Sequence, residues 1–191
     1  MTRGWPSGLI SGLWLLWALY WLLAARSVKP VRRRETLASR LTFVVAMLLG
    51  ALLLLAGHRW LGWLQARWIG GGWVRYWIAV TLVVAGLSFS IWARRTLGGN
   101  WSGTVTVKVD HELVQTGPYR RIRHPIYTGL LLAVFGSALA AGRLYGLAAC
   151  ALIALGLWRK LRVEERWMAA EFGERYERYR HSSWALIPFV I

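Results

Sequence analysis

Five apolar runs, residues 9–25, 41–57, 73–93, 126–141 and 144–158, dominate this chain of 191 residues, and the first three are each flanked by Arg or Lys. A bilayer core of about 30 Å takes roughly 20 residues of helix, so runs of this length and punctuation predict membrane spans. The last two runs are short for a full crossing and are separated only by Gly142 and Arg143. That spacing predicts a tight helical hairpin, which either crosses a locally thinned bilayer or dips in and returns. The expected fold is an all-α integral membrane protein of about five transmembrane helices, forming one membrane domain over residues 1–191. Residues 1–93 supply three N-terminal spans, and residues 94–191 hold most of the polar sequence. The first run is longer than a signal-peptide core and lacks a small-x-small cleavage site before the basic stretch that follows, so it reads as a retained anchor.

Charge separates the function classes. The net charge of +16 suggests nucleic-acid binding when taken alone, since Lys and Arg neutralise phosphates. Here, however, the basic residues sit in short segments between apolar runs, where the positive-inside bias places them beside anionic headgroups. With five spans, one side of the membrane holds 19 of the 24 Lys and Arg, and the other keeps Arg3, Arg59, Arg67, Arg75 and Arg143. The expected topology is therefore N-terminus out and C-terminus cytoplasmic, in a bacterial inner membrane. Trp5, Trp14, Trp17, Trp21, Trp60, Trp63, Trp68, Trp73 and Trp77 fall near span ends and read as interfacial anchors. Gly50, Gly57, Gly86, Gly129, Gly136 and Gly146 would let helices within the chain approach closely. The lone Cys150 lies in an apolar run and reads as a small core residue.

The chemistry is concentrated between the third and fourth runs and after the fifth. Residues 94–123 form a polar loop in which Val105, Val107 and Val109 alternate as in a short strand. Gly98 and Gly103 lack the Lys of a phosphate-binding loop and the third Gly of a dinucleotide fingerprint. Asn100-Trp101-Ser102 is a chance sequon on a segment expected to be cytoplasmic, and no ligand cluster indicates a metal. Gly117-Pro118 predicts a turn. Pro125 starts the fourth helix and holds His124 at its entrance, where free N–H groups suit an anionic group. Tyr119 and Tyr127 offer flat faces and hydroxyls there. After residue 158 the chain reads as a charged continuation helix, a break at Gly173 and a second helix, with Glu164 and Arg162 close to the membrane edge. Glu165 is expected to point roughly 100° away from Glu164. Each residue also has an ordinary reading: His124 as a cap, Glu164 as an i,i+4 partner of Lys160, and the tyrosines as anchors. His58 and His181 receive no role.

Together, Gly117-Pro118-Tyr119, Arg123-His124-Pro125-Ile126-Tyr127-Thr128-Gly129, Glu164-Glu165, Phe172-Gly173-Glu174-Arg175-Tyr176 and Ile187-Pro188 resemble the isoprenylcysteine carboxyl methyltransferase family over residues 96–189. Order and spacing agree across two separated blocks. The resemblance implies a membrane enzyme that binds S-adenosylmethionine on the cytoplasmic side, in a pocket formed by the loop before the fourth span and the C-terminal helices. It also implies methylation of the carboxylate of a lipophilic, prenylated cysteine reached from the membrane, with residues 94–191 as the catalytic half. By the family's motif, His111, Glu112, Leu113, Val114, Tyr119, His124, Pro125, Ile126, Tyr127 and Glu164 are the implied cofactor contacts. The basic residue that orients the acceptor carboxylate falls on Lys160, where the family has Arg, with Arg162 and Arg159 nearby.

A carboxylate acceptor is already ionised at neutral pH and needs no general base, so positioning and desolvation carry catalysis. An amine acceptor such as phosphatidylethanolamine must lose a proton, for which His124 or Glu164 would serve. That distinguishes the alternative, a phospholipid N-methyltransferase of the broader superfamily. A third class, a non-enzymatic membrane scaffold or lipid carrier, would keep the fold without binding the cofactor.

Overall fold

A computed structural model describes residues 5–26, 28–60, 62–108 and 112–190, with the side chains of 5–7, 33–34, 56–60 and 107–108 left aside. The chain is mostly helical, with α1 at Trp5–Ala24, α2 at Leu37–Trp60, α3 at Trp73–Leu97, α4 at Pro125–Ala141, α5 at Leu144–Phe172 and α6 at Glu174–His181. Among the described residues, three helices are long and apolar enough to cross a membrane, at Leu37–Leu55, Trp73–Asn100 and Leu144–Phe172. The apolar parts of α1 and α4, Gly8–Ala24 and Pro125–Ala141, are shorter. Gly142, in the left-handed conformation at φ 62°, ends α4, and Arg143 alone separates it from α5. Helix α5 runs well past the expected end of its apolar run at residue 158. Nothing in residues 159–172 breaks a helix, and the Lys160 and Glu164 side chains pair at i,i+4 (3.8 Å). Gly173, at φ 52°, terminates it as the sequence indicates.

The all-α expectation needs one correction. Strand β1 (Val31–Arg34) pairs antiparallel with β2 (Thr106–Lys108), in the register Val31↔Lys108 and Arg34↔Thr106. The alternating valines marked β2, but the basic run of β1 read as a plain connector because it lacks an apolar alternation. Glu35 closes the ribbon: its N–H donates to Val105 O (3.0 Å), and its carboxylate accepts from Val105 N (3.0 Å) and Ser39 Oγ (2.7 Å).

Packing follows the small residues. Helix α3 lies along α4 and α2 along α5. A Cβ on Gly86 would meet Ala133 N at 2.6 Å, and one on Gly129 would meet Ser90 N at 2.8 Å, so α3 and α4 touch backbone to backbone. Outward faces stay apolar, with Leu15, Leu22, Leu52 and Leu55 all exposed. Such a surface suits lipid rather than water. At the end of the bundle where α4 turns into α5, Arg75 donates to Ile69 O and Ala140 O, and Arg143 donates to Gln65 O.

The tryptophans divide. Trp63 and Trp73 are exposed, as anchors should be, whereas Trp14 Nε1 donates to Ser137 Oγ (3.0 Å) and Trp17 Nε1 donates to Ser90 Oγ (2.8 Å). The anchor reading is therefore corrected for Trp14 and Trp17: a serine on each facing helix satisfies the indole N–H and draws α1 onto α3 and α4. The side chains of Trp5 and Trp60 lie outside the described set.

Candidate functional site

The site begins with a backbone strap. Gly117–Arg120 forms a 3₁₀ turn, with Gly117 at φ 55°. The chain after α6 then runs beside residues 121–124: Arg123 N donates to Trp184 O (2.8 Å), His124 N to Ala185 O (3.0 Å) and Trp184 N to Arg121 O (2.9 Å). Thr128 Oγ1 donates to Leu186 O (2.7 Å). His124 sits at the N-cap of α4, its carbonyl accepting from Tyr127 N and Thr128 N, and Pro125 occupies the first helical position.

This anchoring places His124 between two consecutive carboxylates of α5. Nδ1 lies 3.4 Å from Glu164 Oε2, and Nε2 lies 3.5 Å from Glu165 Oε1. Nε2 is nevertheless buried without an aligned hydrogen-bond partner among the described residues. The two carboxylates diverge as helix geometry requires, and the imidazole bridges the gap by presenting a nitrogen to each. Tyr127 stacks on His124 (ring centroids 5.4 Å apart, 8° between planes) and donates its hydroxyl to Glu164 Oε1 at 2.6 Å. Arg123 Nε donates to Glu165 Oε1 at 2.7 Å, and its guanidinium also reaches the Ser183 and Arg180 carbonyls. Burial alone would lower the His124 pKa, but the bonds and charges of Glu164 and Glu165 outweigh it and hold the imidazole above its ordinary value. Burial, reinforced by Glu164, pushes the Tyr119 phenol up. Tyr179 OH donates to the Tyr119 carbonyl at 2.5 Å, tying α6 to the same cluster.

A cavity of about 370 Å³ opens against these groups. It brings together Glu112, Leu113, Val114, Tyr119, His124, Ile126, Tyr127, Lys160 and Glu164. Pro125 is buried beside it and does not line it. His111 lies outside the described residues. Lys160 is buried, donating to Gly103 O (2.9 Å), with Nζ 4.6 Å from the Phe43 ring centroid and 5.5 Å from that of Tyr127. Arg162 points away, exposed and 5.9 Å from the Trp158 ring, and Arg159 donates to Ser39 O on α2. Neither lines the cavity.

Sequence reading missed the wall contributed by α1 and α2, Trp17, Trp21, Phe43 and Met47, together with Trp101, Met168, Tyr176 and Tyr179. The signal was spacing: Trp14, Trp17 and Trp21, like Phe43 and Met47, recur at i, i+3/4 and i+7, which puts each set on one helix face.

Fold and site define a small, mostly helical bundle of membrane-crossing character, with a buried carboxylate, histidine and tyrosine cluster at the head of an apolar chamber. A family model described as phospholipid methyltransferase matches residues 74–175, more than half of the chain, and the chain belongs to that family. It is 32% identical over 85 residues to the protein-S-isoprenylcysteine O-methyltransferase of Schizosaccharomyces pombe, covering 42% of this chain and 35% of that protein. It is 31% identical over 115 residues to the Saccharomyces cerevisiae protein of the same name, covering 57% and 47%. The fold matches the structure of a eukaryotic intramembrane Ras methyltransferase, isoprenylcysteine carboxyl methyltransferase, with TM-score 0.56 and 21% identity, over 80% of this chain and 52% of that one. The chain thus spans about half or less of the length of these curated relatives.

Proposed function

We propose that the protein is an integral membrane S-adenosylmethionine-dependent methyltransferase that esterifies the carboxylate of an isoprenylcysteine-like acceptor. The observation that carries this reading is the joining of Glu164, His124 and Tyr127, backed by Glu165, with a buried cation, Lys160, in a chamber that is otherwise lined largely by aromatic and aliphatic side chains. The family membership and the names of the relatives support it.

The residues fit the cofactor. S-adenosylmethionine, when bound, supplies an electrophilic methyl on a cationic sulfur and carries an ammonium and a carboxylate of its own. Glu164 offers a carboxylate to a cation, and the imidazole of His124 lines the cavity beside it as a further polar group. Tyr127, by donating to Glu164 Oε1, and His124, with Nδ1 3.4 Å from Oε2, fix the orientation of that carboxylate. Lys160, held by Gly103 O and the faces of Phe43 and Tyr127, provides a fixed positive charge for the acceptor carboxylate. The apolar walls exclude water, and alignment of a pair already carrying opposite charges contributes up to about 7–11 kcal/mol without any proton transfer. The five-span arrangement, with the site on the cytoplasmic side and the N-terminus outside, belongs to the same proposal.

The family's description, phospholipid methyltransferase, names a second class of acceptor, for which the amine of an aminophospholipid stands. Transfer of labelled methyl by the purified protein in nanodiscs separates the two. The proposal expects a base-labile methyl ester on an S-prenyl cysteine derivative and no label on phosphatidylethanolamine, and label confined to the phospholipid would reverse the assignment.

A further inference from the structure

The chamber joins the polar cluster to a set of apolar side chains that includes Leu130, Leu157, Trp17 and Trp21. On α5, Leu157 lies seven residues before Glu164, about 10 Å further along the helix, and on α4, Leu130 lies one turn beyond Tyr127. On the opposite wall the rings form a staircase. Trp101 meets Trp21 edge-on at 5.7 Å, Trp21 stacks on Trp17 at 4.5 Å, and Trp17 meets Trp14 at 5.6 Å. Trp21 and Trp17 line the chamber, whereas Trp14 does not. Trp17 is held in place: its Nε1 donates to Ser90 Oγ at 2.8 Å, and the fully buried Ser90 donates in turn to Leu87 O at 2.8 Å. Packed against Trp17 is a further apolar cluster that includes Ile10, Val83, Leu87 and Ala133.

We propose that Trp17, braced by Ser90, is the floor of the acceptor arm and sets the length of the hydrocarbon chain that the site accepts. This rests on the reading of the acceptor as a lipophilic thioether carboxylate. Trp17 lies on α1, outside the residues that the family model matches, so the limit on chain length is a property of this chain's own first helix. Removing the indole extends the arm into apolar surroundings, so a chain too long for the floor no longer overpacks against it, an effect of about 1–3 kcal/mol.

The test is kcat/KM for cysteine thioethers bearing one to four isoprene units, with the full chain in nanodiscs. Trp17→Ala is expected to move the optimum to a longer chain and to raise the ratio of the longest to the wild-type-preferred acceptor at least about tenfold, as relief of overpacking implies. Trp17→Phe should shift the profile in the same direction by less, and Ser90→Ala, by freeing the ring, should broaden it. If Trp17→Ala unfolds early, Trp17→Phe decides. A variant that unfolds at the wild-type temperature and keeps the wild-type profile overturns the proposal while leaving the methyltransferase reading intact. A wild-type protein that binds S-adenosylmethionine but methylates none of the series overturns both.

Discussion

The imidazole of His124, only 10% exposed, lies between two carboxylates, Glu164 at Nδ1 and Glu165 at Nε2. Its pKa is raised above 6.5 because those partners overcome the penalty of burial, so the imidazolium form stabilises the folded state. That contribution is complete below the ordinary histidine value and disappears as pH climbs through the raised one. The unfolding temperature should therefore fall over that alkaline window, and His124→Gln should flatten this part of the profile when thermal unfolding is followed against pH. A histidine profile as flat as that of the glutamine variant would contradict the electrostatics. Glu165 belongs to the same balance. Its neighbour Glu164 was legible as a candidate from its position at the membrane edge, and it lines the cavity, but the bond of Glu165 to Arg123, and that of Arg123 to the strap, depend on tertiary proximity that one sequence does not encode locally.

Helix contacts were legible where glycine marks them. Gly86 and Gly129 were expected to allow close approach, and α3 and α4 meet there backbone to backbone. Gly86→Ala should cost about 1–3 kcal/mol through overpacking against Ala133, outweighing the gain in helix propensity. Gly12→Ala, with nothing within 4 Å of the added methyl, should be neutral or stabilising. Reversible denaturant unfolding in detergent measures the difference, and equal effects at both positions would contradict this packing. The inward turn of Trp14 and Trp17 was harder to read, because indoles favour both the bilayer interface and a buried serine partner. Strand β1 was harder still, since four residues without alternation carry no period-two signal and owe their extension to β2 and to the Glu35 carboxylate.

At the scale of the molecule, the basic residues, the apolar outer faces and the site's place beside the N-terminus of α4 combine into the proposed orientation. Reporter fusions at the two termini should place them on opposite sides of the membrane, with the C-terminal one cytoplasmic, as the positive-inside bias requires. Termini on one side would remove a span from the proposal. The C-terminal cluster was readable because Arg123-His124-Pro125 and Glu164-Glu165 are local, chemically distinctive runs. The apolar wall from α1 and α2 was not, because it is built from the same Trp, Phe and Met that any membrane helix uses. On the proposed function this cluster holds S-adenosylmethionine. Equilibrium binding of S-adenosylmethionine to the purified protein in nanodiscs should show a site that Glu164→Ala weakens at least about tenfold, as loss of a charged contact implies. Glu174→Ala, on the exposed face of α6, should leave it unchanged. A folded protein that binds none, or one in which the two variants behave alike, would overturn the proposed cofactor site.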